Sequence, residues 1–186
     1  MTDNDDESLV RQAQCDSLAF ASLYDRYVDR IYAYVLRYTN DHALAQDVTS
    51  VTFEKALLHL RRYRWQGQSF CAWLYRIAHN ETIAIHRKQK ILAPLWLWRP
   101  DEVSAEREIE SRQQVNELQE VLNFLPDSDR EILILRFYED LSNAEIATIM
   151  GCSVHTLYVR THRALSRLRK ELERVKCASL EAFEGE

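Results

Sequence analysis

A chain of 186 residues with only three Gly and three Pro leaves little room for β-hairpins and predicts a mostly helical fold. The net charge of −5 argues against a protein that coats DNA passively. No apolar run is long enough to span a bilayer and the N-terminus is acidic, so the expectation is a cytoplasmic protein with no membrane insertion of its own. Cys15, Cys71, Cys152 and Cys177 are scattered without paired ligand spacing and read as reduced, packing thiols. No metal and no cofactor is expected.

In chain order, residues 1–7 are acidic and read as frayed, and residues 8–14 as a short helix. From Ser17 a long amphipathic helix carries Phe20, Leu23, Tyr24, Tyr27, Ile31, Tyr34, Val35 and Tyr38 at spacings of three and four, a stripe read as core. Asn40 and Asp41 break it, and Asp41 caps the next helix, from His42 to about Leu60. Residues 61–68 form a basic, aromatic turn with one Gly, after which Ser69 caps a third helix running to about Lys90. This loop and helix hold seven basic side chains against the single acid Glu81. Rings mixed with cations suit a surface that stacks bases while neutralising phosphates. They suit equally a packed Trp/Tyr cluster with snorkelling Arg, and residue types alone leave both readings open.

Residues 91–100 are unusually apolar for a tether, and residues 101–120 carry seven acids against Arg107 and Arg112. A further helix with Val115, Leu118, Val121, Leu122 and Leu125 stops at Pro126. Asp127 or Ser128 is expected to cap the next, which carries Ile132, Leu133, Leu135, Phe137 and Tyr138. Ser142 and Glu145 then have capping-box form, with Ile146, Ala147 and Met150 as one apolar face. Gly151 stands at a sharp turn, and Ser153 caps a last helix whose outer face holds Thr156, Arg160, Arg163, Arg167 and Lys170. Two helices about a Gly turn, with one-sided basic charge, point to a helix-turn-helix that binds DNA. The competing reading is a helical hairpin with a solvated basic face.

Three stretches, A-Q-D-V-T-S-V-T-F over 45–53, F-C-A-W-L-Y-R-I-A-H-N-E-T-I-A-I-H-R-K over 70–88 and L-P-D-S-D-R-E-I-L-I-L-R-F-Y-E-D-L-S-N-A-E-I-A-T-I-M-G over 125–151, stand in this order. Together they resemble the sigma-70 family of bacterial RNA polymerase sigma factors, and within it the extracytoplasmic-function (ECF) group, which keeps sigma domains 2 and 4. The resemblance implies an all-α fold of two small helical domains joined by a linker: domain 2 over 15–90, linker over 91–111, domain 4 over 112–176.

The resemblance also implies roles. The helix with Asp47, Val48 and Phe53 docks on core RNA polymerase, although Gln46, Ser50 and Val51 depart from the family's pattern there. Asn80 reads a base flipped from the −10 element of promoter DNA, with Tyr63 and Trp65 as stacking walls and Arg76, Arg87 and Lys88 on phosphates. His155, Thr156, Tyr158, Val159, Arg160 and Arg163 face the −35 element, with Tyr158 and Val159 again departing from the usual residues. The linker runs toward the polymerase active centre, and an anti-sigma factor is an expected partner. No nucleophile–base pair, phosphate loop or metal cluster points to an enzyme. The alternatives are a stand-alone helix-turn-helix regulator that binds duplex DNA as a dimer, and a sequestering helical module whose basic faces meet acidic proteins.

Overall fold

A computed structural model of the chain describes residues 3–64, 69–92 and 121–183. Trp65, the expected linker from residue 93 onward, and the helix positions Val115 and Leu118 lie outside the described residues. The helices, in order, are α1 (Asp3–Ala13), α2 (Ser17–Thr39), α3 (His42–Leu60), α4 (Phe70–Leu92), α5 (Asp127–Phe137), α6 (Asn143–Ile149) and α7 (Val154–Phe183). Among the described residues there is no strand.

Local signals set most boundaries. The Asp16 carboxylate accepts from Leu18 N–H at the start of α2, and Asn40 closes that helix in the left-handed conformation, φ 55°. Asp41 caps α3 by accepting from Leu44 N–H at 2.9 Å. The Ser69 hydroxyl accepts from Ala72 N–H at 3.2 Å and caps α4. The start of α5 differs from expectation: Pro126 occupies the N-cap position without a side-chain bond, and Asp127 sits inside the first turn, paired with Arg130 at 2.7 Å. Proline suits that place because its fixed φ and missing N–H cost nothing where the helix has no partner to offer.

The stripe on α2 is buried as expected, except that Tyr24 stays exposed. Leu23 and Ile31 are fully enclosed, and burial of such side chains is worth about 1.5–3 kcal/mol each. Helix α2 packs on α3, α3 on α4, and α1 on α2. The N-terminus is more ordered than its composition suggests. Val10 and Ala13 of α1 enter the core, and the buried Asp6 accepts from the Tyr27 hydroxyl and from Arg26.

The C-terminal helices do not form a separate core. Ile132, Ile134 and Leu135 of α5, Ile146, Ala147 and Ile149 of α6, and Leu157 of α7 belong to the same apolar cluster as Tyr34, Phe70 and Leu74. Helix α5 packs on α2, and α6 on α4. A second, small cluster of Leu122, Leu125, Leu133 and Ala164 ties α7 to α5.

Candidate nucleic-acid interface

The helix-turn-helix is built by local bonds. Ser142 and Glu145 form a complete capping box: the Ser142 hydroxyl accepts from Glu145 N–H, and the Glu145 carboxylate accepts from Ser142 N–H at 3.0 Å. At the other end of α6, Cys152 N–H reaches Ala147 O at 2.9 Å and Gly151 N–H reaches Thr148 O at 3.3 Å. This is a Schellman closure, and it places Gly151 at φ 62°, where a Cβ would be strained even though nothing lies within 4 Å of it. Ser153 then caps α7, its hydroxyl accepting from Thr156 N–H at 3.1 Å and lying 2.8 Å from the Thr156 hydroxyl.

That geometry aims the first turns of α7 outward. His155, Thr156 and Arg163 are exposed, as are Tyr158 at 59% and Val159 at 40%, while Arg160 is half-buried. Neither Arg160 nor Arg163 has an ion-pair partner among the described residues. The arginines further along have intramolecular partners: Arg167 pairs with the buried Asp129 of α5, Arg169 with Glu173 at 3.5 Å, and Arg174 with Glu171 at 3.5 Å. Arg167 lies on the exposed face as expected and also braces α7 to α5 through Asp129.

A second surface lies along α4. Asn80, Arg76 and Arg87 are exposed; Lys88 lies on the same helix, its side chain outside the described set. Tyr63 is half-buried, its ring 4.8 Å from Trp73 and 5.8 Å from Phe70 between centroids. Trp73 and Asn80 are seven residues apart, so they share a helix face about 10 Å apart along the axis. The sequence reading did not assign Trp73 to this surface. Its spacing to Asn80 is the signal that could have placed it beside the site.

The α3 residues sort by face. Asp47 is exposed. Val48 at 0% and Phe53 at 4% are core, Phe53 meeting Tyr24 at 4.8 Å between ring centroids. Neither offers its side chain to a partner here. They extend the buried row Ala45, Val48, Thr49, Thr52, Phe53, Ala56 and Leu60, whose spacing of three and four points one way while Asp47, Ser50, Glu54 and Leu58 point the other.

Between the surfaces lie two buried acids. Glu131, 1% exposed, accepts from the Tyr34 hydroxyl at 2.5 Å and lies 2.5 Å from His79 Nδ1. Glu139, 5% exposed, accepts from Arg37 at 3.0 Å and from the Tyr75 hydroxyl, with Arg30 at 4.0 Å. Burial first, and then the facing carboxylates, push the Tyr34 and Tyr75 phenols up, so both remain protonated donors. Ser69 donates to Glu145 of α6, so one carboxylate joins the cap of α4 to the capping box of the helix-turn-helix. Burial also pushes the Cys71 thiol up to about 12, which keeps it an unreactive packing group. Among the described residues no three His, Cys, Asp or Glu come together in a group able to hold a metal, and no helix is long and apolar enough to cross a membrane.

A helix-turn-helix with a free basic face, tied to a second helical unit with its own basic and aromatic surface, defines a DNA-reading protein of two helical regions. Residues 23–91 match the family model for sigma-70 region 2, and residues 116–168 that for sigma-70 region 4. The chain is 33% identical to the RNA polymerase sigma-H factor of Pseudomonas aeruginosa, over 93% of this chain and 96% of that protein. It is 31% identical to the ECF sigma factor SigW of Bacillus subtilis, over 84% of this chain and 90% of that one. To the ECF sigma factor BldN of Streptomyces coelicolor it is 34% identical, over 86% of this chain but 64% of the longer relative. The fold is similar to that of the sigma factor RpoE solved with the anti-sigma factor NepR from Bartonella quintana, with a TM-score of 0.72 at 24% identity over 83% of this chain and 96% of that one. It is similar also to CnrH solved with the cytosolic domain of CnrY, with a TM-score of 0.71 at 24% identity over 91% and 97%.

The chain belongs to the ECF group of the sigma-70 family. It is a promoter-directing subunit of RNA polymerase and not an enzyme; the stand-alone regulator reading is not favoured.

Proposed function

We propose that the two surfaces divide promoter reading between them: the first turns of α7 enter the major groove of the −35 element, and the α4 face with Tyr63 takes the −10 element after melting. The observation that carries this is the division of basic residues on α7. Arg160 and Arg163 are free for an outside partner, and their forked donors suit guanine O6 and N7. Thr156 spends its hydroxyl near the Ser153 cap and contributes less. On α4, Asn80 offers an amide that both donates and accepts at a base edge, Arg76, Arg87 and Lys88 meet phosphates, and Tyr63 with Trp65 supplies stacking surface. Asp47 and the outward face of α3 dock on core polymerase, Val48 and Phe53 supporting that face from beneath. The working boundaries are 15–90 and 112–176, with α1 added to the first region because it packs on α2. The protein acts in the cytoplasm. The RpoE neighbour named above was solved with an anti-sigma factor, which supports such a partner here.

Open-complex formation by reconstituted holoenzyme tests the reading, on a promoter selected by the wild-type holoenzyme from a randomised library. Asn80→Ala should lower open-complex yield about tenfold, equal to about 1.4 kcal/mol. Core binding and −35 recognition should stay nearly intact. The loss should retain its dependence on the −10 sequence when the −10 segment is pre-melted. An Asn80→Ala holoenzyme with wild-type −10 preference on both templates would remove Asn80 from the site.

A further inference from the structure

We propose that Gln14 is a positioning residue for −10 recognition: its side-chain amide, held at the end of α1, sets where the basic loop leaves α3. The inference rests on the reading of Tyr63 and Asn80 given above.

The contact is bidentate. Gln14 Nε2 donates to the carbonyl of Leu60 at 3.0 Å and to the carbonyl of Tyr63 at 2.9 Å, across 46 and 49 residues of chain. Leu60 is the last residue of α3, and carbonyls at a helix end have no intrahelical donor. Leu60 O also receives Tyr63 N–H at 3.0 Å, and Tyr63 O receives an Arg64 side-chain N–H at 3.2 Å. Each carbonyl has two lone pairs, and a primary amide has two hydrogens, so Gln14 bridges both without displacing either neighbour. The amide is itself anchored. Gln14 N–H bonds Val10 O at 3.0 Å, Val10 and Ala13 sit in the core, and Asp6 ties α1 to Tyr27 and Arg26 of α2.

On the other side, the tie ends at Tyr63, whose ring rests on Trp73 and Phe70 of α4. A continuous path therefore runs from the core through α1 and Gln14 to the ring that borders the Asn80 face. Beside this contact α1 and the loop are separated by a cleft of about 240 Å³ lined by Glu7, Val10, Arg11, Gln14, Tyr63 and Arg64.

The charge and donor count of position 14 make the test. Gln14→Glu keeps the shape but turns an oxygen toward two carbonyls. Gln14→Lys restores donors. Reconstituted holoenzymes carrying either change, with Asn80→Ala alongside, are compared on the library-selected promoter. Two readouts are used: open-complex yield as the −10 sequence is varied, and binding to an upstream duplex holding only the −35 element. Gln14→Glu should reduce open-complex yield about tenfold and flatten −10 preference while −35 binding is unchanged, since two partly buried carbonyls would lose the Gln14 donor and face an acceptor in its place. Gln14→Lys should recover most of the loss. If Gln14→Glu does not fold, Gln14→Ala, which removes the donors without adding repulsion, is scored by the same criteria. Wild-type behaviour of Gln14→Glu, equal losses at both elements, or failure of Gln14→Lys to rescue would each overturn the assignment. If Asn80→Ala loses −10 preference and the Gln14 variants do not, only the positioning role falls. If Asn80→Ala also keeps wild-type preference, the underlying reading falls and the role of Gln14 with it.

Discussion

At the contact of α5 with α2 and α4, charged and polar groups are buried and matched: Glu131 with Tyr34 and His79, Glu139 with Arg37, Tyr75 and Arg30. On the outward side of the first turns of α7, His155, Thr156 and Arg163 are exposed, Arg160 is half-buried, and neither Arg has an ion pair among the described residues. The same residue type, Arg, is spent on folding at the first place and left free at the second. A buried charge must be paired inside the protein because desolvation is costly, whereas a solvated one loses little by waiting for DNA. Sites for outside partners are therefore found where internal pairing stops, and along α7 it stops between Arg163 and Arg167.

The comparison can be tested from its strongest side first. Glu139→Ala removes the carboxylate that Arg37, Arg30 and the Tyr75 hydroxyl share, and removing one partner of a buried pair costs about 3–5 kcal/mol. Denaturant unfolding should show a loss of that order; a loss below about 1 kcal/mol, the scale of an exposed pair, would mean that the acid is not structurally committed. Arg160→Ala and Arg163→Ala should leave unfolding nearly unchanged. Each should cost about 1–3 kcal/mol at one base position of the −35 element in holoenzyme binding. Equal weakening on all promoters would identify them as phosphate contacts.

Ser153→Ala removes the cap that orients the reading turns and should lower stability by about 1 kcal/mol, with a comparable fall in −35 affinity. A stability loss without an affinity loss would separate the cap from the readout. The smallest expected effect is with pH. Burial raises the Glu145 carboxyl, but hydrogen bonds from Ser69 and from the Ser142 side chain and backbone outweigh it, so its pKa is lowered. A depressed acid stabilises the fold above its unfolded value, about 4.3 for Glu, and loses that contribution as pH falls through the folded value. Glu145→Gln should therefore flatten the acid limb of the stability curve below about pH 4.3. An unchanged limb would show that Glu145 is not held ionised by these bonds.

Much of the fold was legible because its causes are local. The α2 stripe, the caps Asp41, Ser69 and Ser153, the Ser142–Glu145 box and the Gly151 turn each depend on residues within about four positions, where chain spacing dictates who can meet. The start of α7 at the Ser153 cap was legible for the same reason. The burial of Val48 and Phe53 was legible in the row from Ala45 to Leu60, whereas the resemblance pointed to the helix as a whole and not to its outward face.

Other features were set only by packing. Nothing in an acidic N-terminus announces that Asp6 will be buried or that Gln14 will reach Leu60 and Tyr63. Nothing in a basic helix says that Arg167 will turn to Asp129 while Arg163 remains free. The single core shared by α2, α4, α5 and α6 is likewise absent from any local pattern. Sequence by itself determined most of the helices and most of their caps, because hydrophobic period and capping act over one or two turns. Tertiary structure alone decided which charges are consumed internally, since an ion pair between residues 38 or 102 positions apart exists only once the helices bearing them have already packed.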